Sequence, residues 1–399
     1  MRHFAHLTDA ERAALFYRAP ESFDRDAEVH RLAAALGATL YAPATRPTLT
    51  ADIRRQAARG VTSMVICLED AVPHREVPAA EHNAIDQLRA YRASGEEPPL
   101  LFVRVRTPDQ IIDLSQRLGD GVDVLTGFVL PKFTGDLGEA FLEALAKASA
   151  NTGCRLLGMP VLESPDVIHQ ETRVESLARI RQMLNRAREH VLAVRIGATD
   201  LCSPYGLRRP RGMSVYQIRV VAHAIGDIVN VLGRWDDSGF VVTGPVWEYF
   251  DPRHGMFDRK LPDDLFQGPN QRVQQEIADR DLEGLLQEIE LDKANGLVGK
   301  TVIHPSHVPA VHAMQVVSHE EYVDALAVMA ASDGGVMASE YSNKMNEANP
   351  HRAWAERTLL RADLFGVTRP EMSWINVLGA QLATRSPLTA AQAAAPLAT

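Results

Sequence analysis

A chain of 399 residues with 46% hydrophobic side chains has enough apolar surface to bury one large barrel domain with extensions, or two ordinary domains. A formal net charge of −9 excludes a general nucleic-acid binder, because such proteins meet phosphates with an excess of Lys and Arg. No apolar run reaches the roughly 18 residues of a membrane span. The three cysteines, Cys67, Cys154 and Cys202, form no CxxC pair, which excludes a Cys-rich zinc site and fits a reducing cytoplasm.

The first residues, MRHFAHLTDAERAALF, lack a secretory apolar core and read as a capped amphipathic helix starting near Thr8. A second helix is expected over 28–36, so residues 1–38 form a helical lead-in. Strands and helices then alternate. Strand patterns fall at Thr39–Ala44, Ser63–Leu68, Leu100–Val105, Gly127–Leu130, Leu156–Leu162, Val191–Ile196, Phe240–Val246 and Lys300–Ile303. Helical patterns fill the gaps. Between the fifth and sixth strands, Val174, Leu177, Ile180 and Leu184 recur at helical spacing and predict one buried face. Residues 140–150 and 281–295 are similarly amphipathic.

Eight apolar strands joined by helices mean a parallel sheet covered by helices. The span is close to the roughly 250 residues of a (β/α)8 barrel. An open doubly wound sheet is the competitor, but no GxGxxG follows the first strand. The expectation is therefore α/β: a (β/α)8 TIM barrel over 39–310, with the N-terminal lead-in and a C-terminal helical extension over 311–380. Helices are expected there at 320–331 and 353–364. Residues 381–399, rich in Ala with two prolines, read as a flexible tail.

In a barrel, chemistry belongs to the C-terminal ends of the strands. Val191-Leu192-Ala193-Val194 leads through Gly197-Ala198-Thr199 to Asp200, and the preceding strand ends in Glu163. Two carboxylates on one rim suit a hard cation such as Mg²⁺, which takes one or two carboxylates and fills the rest with water and substrate oxygens. The other strand ends bring Arg46, Glu69 and Asp70, Arg104 and Arg106, Lys132, Pro245 and His304. So many acids and cations on one rim suit metal-assisted handling of a carboxylate or carbonyl substrate. Plainer readings stand beside these. A lone acid after a strand can be a helix N-cap. Lys132 can be a Schiff-base lysine. Arg208-Arg209-Pro210-Arg211 can be a phosphate-gripping loop or a solvated one.

Six segments occur in order at these strand ends: Leu68-Glu69-Asp70-Ala71-Val72, Val103-Arg104-Val105-Arg106, Leu130-Pro131-Lys132, Leu162-Glu163-Ser164, Gly197-Ala198-Thr199-Asp200 and Gly299-Lys300-Thr301-Val302-Ile303-His304-Pro305. Together they resemble the citrate lyase β-subunit / malyl-CoA lyase superfamily of metal-dependent C–C lyases and aldolases. Within it they are most similar to the barrel-type C–C bond lyases associated with tellurium-resistance gene clusters.

The resemblance implies that Glu163 and Asp200 bind Mg²⁺, with Mn²⁺ as the alternative ion. It implies that Arg104 holds a substrate carboxylate or enolate oxygen, while Glu69 and Asp70 order metal-bound water and the arginine. Gly197, Ala198, Thr199 and the backbone beyond Asp200 would meet the substrate's acid group. Tyr41, Arg46, Arg106, Lys132, Pro245 and His304 would complete the pocket. In the family a C-terminal segment supplies an Asp to a neighbouring subunit. Here Lys344-Met345-Asn346-Glu347 aligns with it, so Glu347 stands where that acid is expected and a homo-oligomer follows.

The chain also departs from the family pattern. Leu40-Tyr41 replaces a usual Arg-Ser, Pro73-His74-Arg75-Glu76-Val77 breaks the spacing after the second strand, and Arg106 takes a place where Asn is common. The expected activity is a cytoplasmic C–C lyase or aldolase acting through an enolate on a small oxo- or hydroxy-carboxylate or its CoA thioester. A thioester hydrolase on the same scaffold, or an inactive barrel serving as a binding or assembly subunit, are the alternatives. Neither nucleic acid nor membrane is an expected partner.

Overall fold

In the computed structural model, residues 1–250, 282–331 and 334–384 are described. Eight parallel strands form the centre: β1 (Ala38–Pro43), β2 (Ser63–Cys67), β3 (Leu100–Arg104), β4 (Gly127–Leu130), β5 (Leu157–Leu162), β6 (Val194–Ile196), β7 (Val242–Thr243) and β8 (Lys300–Val302). Each pairs with its sequence neighbour from β1 to β7, and β8 pairs back onto β1. A bridge between Gly244 and Lys300 joins β7 to β8 and closes the ring. The expected (β/α)8 barrel is the observed fold.

The strands are apolar on both faces because one face fills the barrel and the other meets helices. Val65, Ile66, Phe102, Val103, Phe128, Val129 and Leu162 are all at most 1% exposed. Leu49–Ala57, Val77–Ala93, Pro108–Leu118, Leu137–Thr152, Gln170–Arg186, Arg219–Leu232, Glu283–Ala294 and Val308–Ala313 follow the eight strands in turn. The seventh of these is tied to β8 by a buried ion-pair network. Lys300 Nζ reaches Asp292 at 2.6 Å and Glu288 at 3.0 Å, and Glu288 also pairs with Arg209.

Three local expectations change. The seventh strand is two residues long rather than seven, because Gly244-Pro245 follows and Pro has no N–H to give the ladder. The sixth begins at Val194, with Val191 joined to Gly158 only by a single bridge. Val174 does not face the core; it is 79% exposed. Its neighbour Arg173 turns inward instead, donating to the carbonyls of Val167 and Ile168 and pairing with Asp227 at 2.8 Å.

The lead-in helix Asp9–Leu15 is held by a Thr8–Glu11 capping box. After it, Phe16–Arg18 pairs antiparallel with Val367–Thr368, so the two extensions meet. His3 stacks on Phe365 with centroids 4.0 Å apart. Beyond the barrel come His319–Ala330, a hairpin of Val336–Ala338 and Met345–Glu347, the long helix Ala348–Phe365, and Trp374–Thr384. Among the described residues no helix is long and apolar enough to cross a membrane.

Candidate active site at the C-terminal face of the barrel

Arg104, the last residue of β3, is the hub of the site. Its Nη2 lies 2.8 Å from Glu69 Oε2, 3.0 Å from Glu163 Oε1 and 3.3 Å from Asp70 Oδ2. These acids come from the ends of β2 and β5, so three strands converge on one guanidinium. Burial works against the Arg104 charge, but Glu163, Tyr41 and Glu69 outweigh it and hold the guanidinium firmly protonated. Its Nε is buried with no hydrogen-bond partner, which leaves one edge of the fork unspent.

Lys132 is the second organiser. Its backbone sits in the left-handed region, φ +48°, an uncommon conformation for a side chain with a Cβ. That turn aims its N–H at Glu163 Oε1, 2.9 Å away. Its ε-ammonium bonds Glu69 and lies 3.6 Å from Asp70 and 3.9 Å from Asp200. Lys132 is therefore ion-paired rather than lodged in an apolar pocket, and burial, which opposes its charge, is outweighed by Glu69. A Schiff-base role needs the reverse.

Glu163 is almost fully enclosed. Burial pushes its carboxyl up to about 7; Arg104 opposes this and nearby Asp200 adds to it. Asp200 follows β6 in the short helix Ala198–Cys202 and keeps 33% of its side chain exposed. Burial and the adjoining Asp70 raise Glu69 as well, while Asp70 is lowered: burial opposes that shift, and Glu69 and Arg104 overcome it. Four acids therefore share two cations on one rim. Among the described residues no group of three or more His, Cys, Asp or Glu is arranged to hold a metal ion. The donor set still fits Mg²⁺, which needs only one or two protein carboxylates. Two neighbouring carboxylates, one of them buried enough to resist ionisation, are what a divalent charge would relieve.

The remaining expected residues divide. Gly197 packs directly on Glu163, Ala198 is buried, and exposed Thr199 donates to Glu248 at 3.3 Å. Tyr41 points into the barrel near Arg104 and Glu163. Arg46 pairs with Asp52 at 2.7 Å and lines, with Glu69, Asp70, His74, Arg106 and Lys132, a cleft of about 1180 Å³. Arg106 is used up by structure: it donates to the carbonyls of Leu68 at 2.7 Å, Glu69 at 2.8 Å, and Val72. It clamps the loop that carries Glu69 and Asp70. Pro245 is buried. His304 caps the turn Pro305–His307, bonds Ser306 at 2.7 Å and stacks on Phe250. Arg209 of the basic loop is buried against Glu288 and Val246 O, so it grips protein rather than phosphate. Glu347 lies exposed on the C-terminal hairpin, hydrogen-bonded through its N–H to His351, with no ion pair to the rim of its own barrel among the described residues.

One residue escaped the sequence reading. Arg195 sits in the middle of β6, 1% exposed. The signal was a lone charge inside Val191-Leu192-Ala193-Val194-Arg195-Ile196, a run otherwise apolar.

Two solved structures share the fold. A citrate lyase from Burkholderia xenovorans LB400 aligns with a TM-score of 0.57 at 15% identity, over 86% of this chain and 96% of its own. The protein CitE from Mycobacterium tuberculosis, in complex with magnesium, acetoacetate and coenzyme A, aligns with a TM-score of 0.51 at 23% identity, over 83% and 99%. No protein of curated function matches. Residues 30–367 match the family described as C–C bond lyase of the TIM-barrel fold. That span includes the rim residues Glu69, Asp70, Arg104, Lys132, Glu163 and Asp200, and the chain belongs to this family of C–C bond lyases.

Proposed function

We propose that this protein is a Mg²⁺-assisted C–C lyase or aldolase acting on a small oxo- or hydroxy-carboxylate or its thioester. The observation that carries the reading is the convergence of Glu69, Asp70 and Glu163 on Arg104, with Lys132 linking them to Asp200. The similar CitE structure contains magnesium, acetoacetate and coenzyme A, which agrees with this choice of ion and with an oxo acid.

Glu163 and Asp200 are the residues that would hold the ion. Bound there, it would supply Lewis-acid charge to a carbonyl oxygen. Arg104, held by Glu69, Asp70 and Glu163, sets its positive charge beside the same oxygen or the adjoining carboxylate. A cation fixed in place before reaction acts most where negative charge develops. In cleavage, a base removes the β-hydroxyl proton, the C–C bond breaks, and its electron pair passes to the carbonyl as an enolate. In condensation a base removes a proton next to the carbonyl. Glu69 and Asp70 hold Arg104 in position, and the Arg106 clamp holds them. Glu347 completes the site of a neighbouring copy, so the active form is a homo-oligomer. The three free thiols agree with action in the cytoplasm.

Calorimetry with Mg²⁺ on Glu163→Gln and Asp200→Asn tests this directly. Each should lower metal affinity by about tenfold or more, as loss of a charged ligand requires. Unchanged affinity in both would remove the metal site and leave a barrel that binds without this chemistry.

A further inference from the structure

Arg195 is the buried charge that the chemistry above leaves unused. It projects from β6 into the barrel, in register with Val161 on β5 and Thr243 on β7. Its Nη1 contacts Met159 Sδ at 3.6 Å, its Nη2 donates to Thr301 Oγ1, and its guanidinium lies 5.6 Å from the Tyr41 ring centre. None of these neighbours carries a negative charge. Among the described residues Arg195 has no carboxylate partner, unlike Arg104, Arg173 and Arg209, whose ion pairs are all formed. A guanidinium stays protonated even when buried. A buried charge without a counter-charge is strongly destabilising, so a fold that keeps one has a reason to.

A second observation points to the same place. Thr243 is 1% exposed, and its Oγ1 is buried with no hydrogen-bond partner. Residues in register on adjacent parallel strands face the same side, so this orphan hydroxyl shares the barrel interior with Arg195. Tyr41 and Thr301 are only partly buried although they point into a barrel, where side chains normally fill the space. The level is also right. Val161, the register partner of Arg195, is two residues before Glu163, about 7 Å along the strand. Tyr41 stands between, near both Arg195 and Arg104.

We propose that Arg195, Thr243, Thr301 and Tyr41 form a second anion subsite inside the barrel, beneath the Glu163–Asp200 level, which takes the far carboxylate of a short dicarboxylate. One guanidinium and three hydroxyls supply a single positive charge, which matches a carboxylate rather than a phosphate dianion. The near end of such a ligand would lie against Arg104, and that part rests on the function proposed above. The subsite itself does not.

The experiment compares succinate with butyrate, which has the same chain length and one carboxylate fewer, by calorimetry on the full chain with and without Mg²⁺. Wild type should bind succinate about tenfold or more tighter than butyrate. Arg195→Met should erase that preference, Arg195→Lys should restore part of it, and Thr243→Val should weaken it by a smaller factor. If Arg195→Met does not fold, Arg195→Lys and Thr243→Val carry the comparison. Wild type without the preference, or Arg195→Met with it intact, overturns the subsite. Tighter binding of 3-phosphonopropionate than of succinate overturns its assignment to carboxylate. Glu163→Gln separates the two readings: it should abolish the Mg²⁺-dependent part of binding and leave the succinate preference. A protein with that preference and no C–C cleavage would lose the proposed function and keep this subsite.

Discussion

Gly197 lies so close to Glu163 that a methyl group on its Cα would stand 2.1 Å from Glu163 Oε2. No side chain fits there unless Glu163 moves, and moving it breaks the hold of Arg104 and the Lys132 N–H on its other oxygen. The Gly197→Ala protein should therefore fold with its Glu163 carboxylate displaced. Loss of ligand orientation typically costs about 10- to 100-fold in metal affinity. Calorimetric Mg²⁺ affinity that matches wild type would show that Glu163 does not depend on this contact.

Arg106 bonds three backbone carbonyls and the His74 ring, all in one loop, so its substitution should be read first in stability. Replacing it with Met removes hydrogen bonds to three carbonyls of the 68–72 loop. Allowing for its partial exposure, the cost is about 2 kcal/mol. Lysine should not rescue it, because an ammonium lacks the fork that spans several acceptors. Denaturant melts of Arg106→Met and Arg106→Lys check both statements. A wild-type midpoint in Arg106→Lys would mean that charge, not geometry, holds the loop.

Glu347 predicts an intermolecular effect. If it serves a neighbouring copy, Glu347→Gln and Glu163→Gln should each be inactive alone, and mixing them after mild dissociation should restore C–C cleavage in sites that combine the two intact residues. Sedimentation should show an oligomer in the same samples. Mixed oligomers without recovered activity would place Glu347 outside the chemistry.

His3 predicts an acid response. Its Nε2 donates to Ala35 O at 2.9 Å, its ring stacks on Phe365, and burial lowers its pKa from 6.5 to about 3. The unfolded chain takes up this proton below 6.5 and the folded chain does not, so the stability that His3 contributes is present above 6.5 and is lost as pH falls towards 3. Glu163 and Asp292, raised to about 7 and about 6, act with the opposite sign in part of that window. The comparison must therefore be between proteins. The stability advantage of wild type over His3→Gln should shrink by about 1.4 kcal/mol per pH unit below 6.5. A difference independent of pH between 6.5 and 4 would contradict a buried neutral ring.

Much of this architecture could be read along the chain. Apolar runs ending in Glu69, Arg104, Lys132, Glu163 and Asp200 marked strands whose ends face one rim, because a strand buried on both faces needs continuous apolar residues and stops where polar ones begin. Thr8 likewise announced the start of a capped helix. These are local signals, complete within a few residues.

Partnership was decided elsewhere. That Arg104 meets three acids while Arg106, two residues on, clamps a loop depends on how three separate strands are staggered in the closed barrel. Val174 left the buried face expected of it for a related reason: its neighbour Arg173 reaches the carbonyls of the preceding turn and takes the inward place. Arg195 shows the limit most clearly. As one letter in an apolar run it has no direction. Only the register with Val161 and Thr243 turns it inward, since a shift of one residue in a strand sends every side chain to the opposite face.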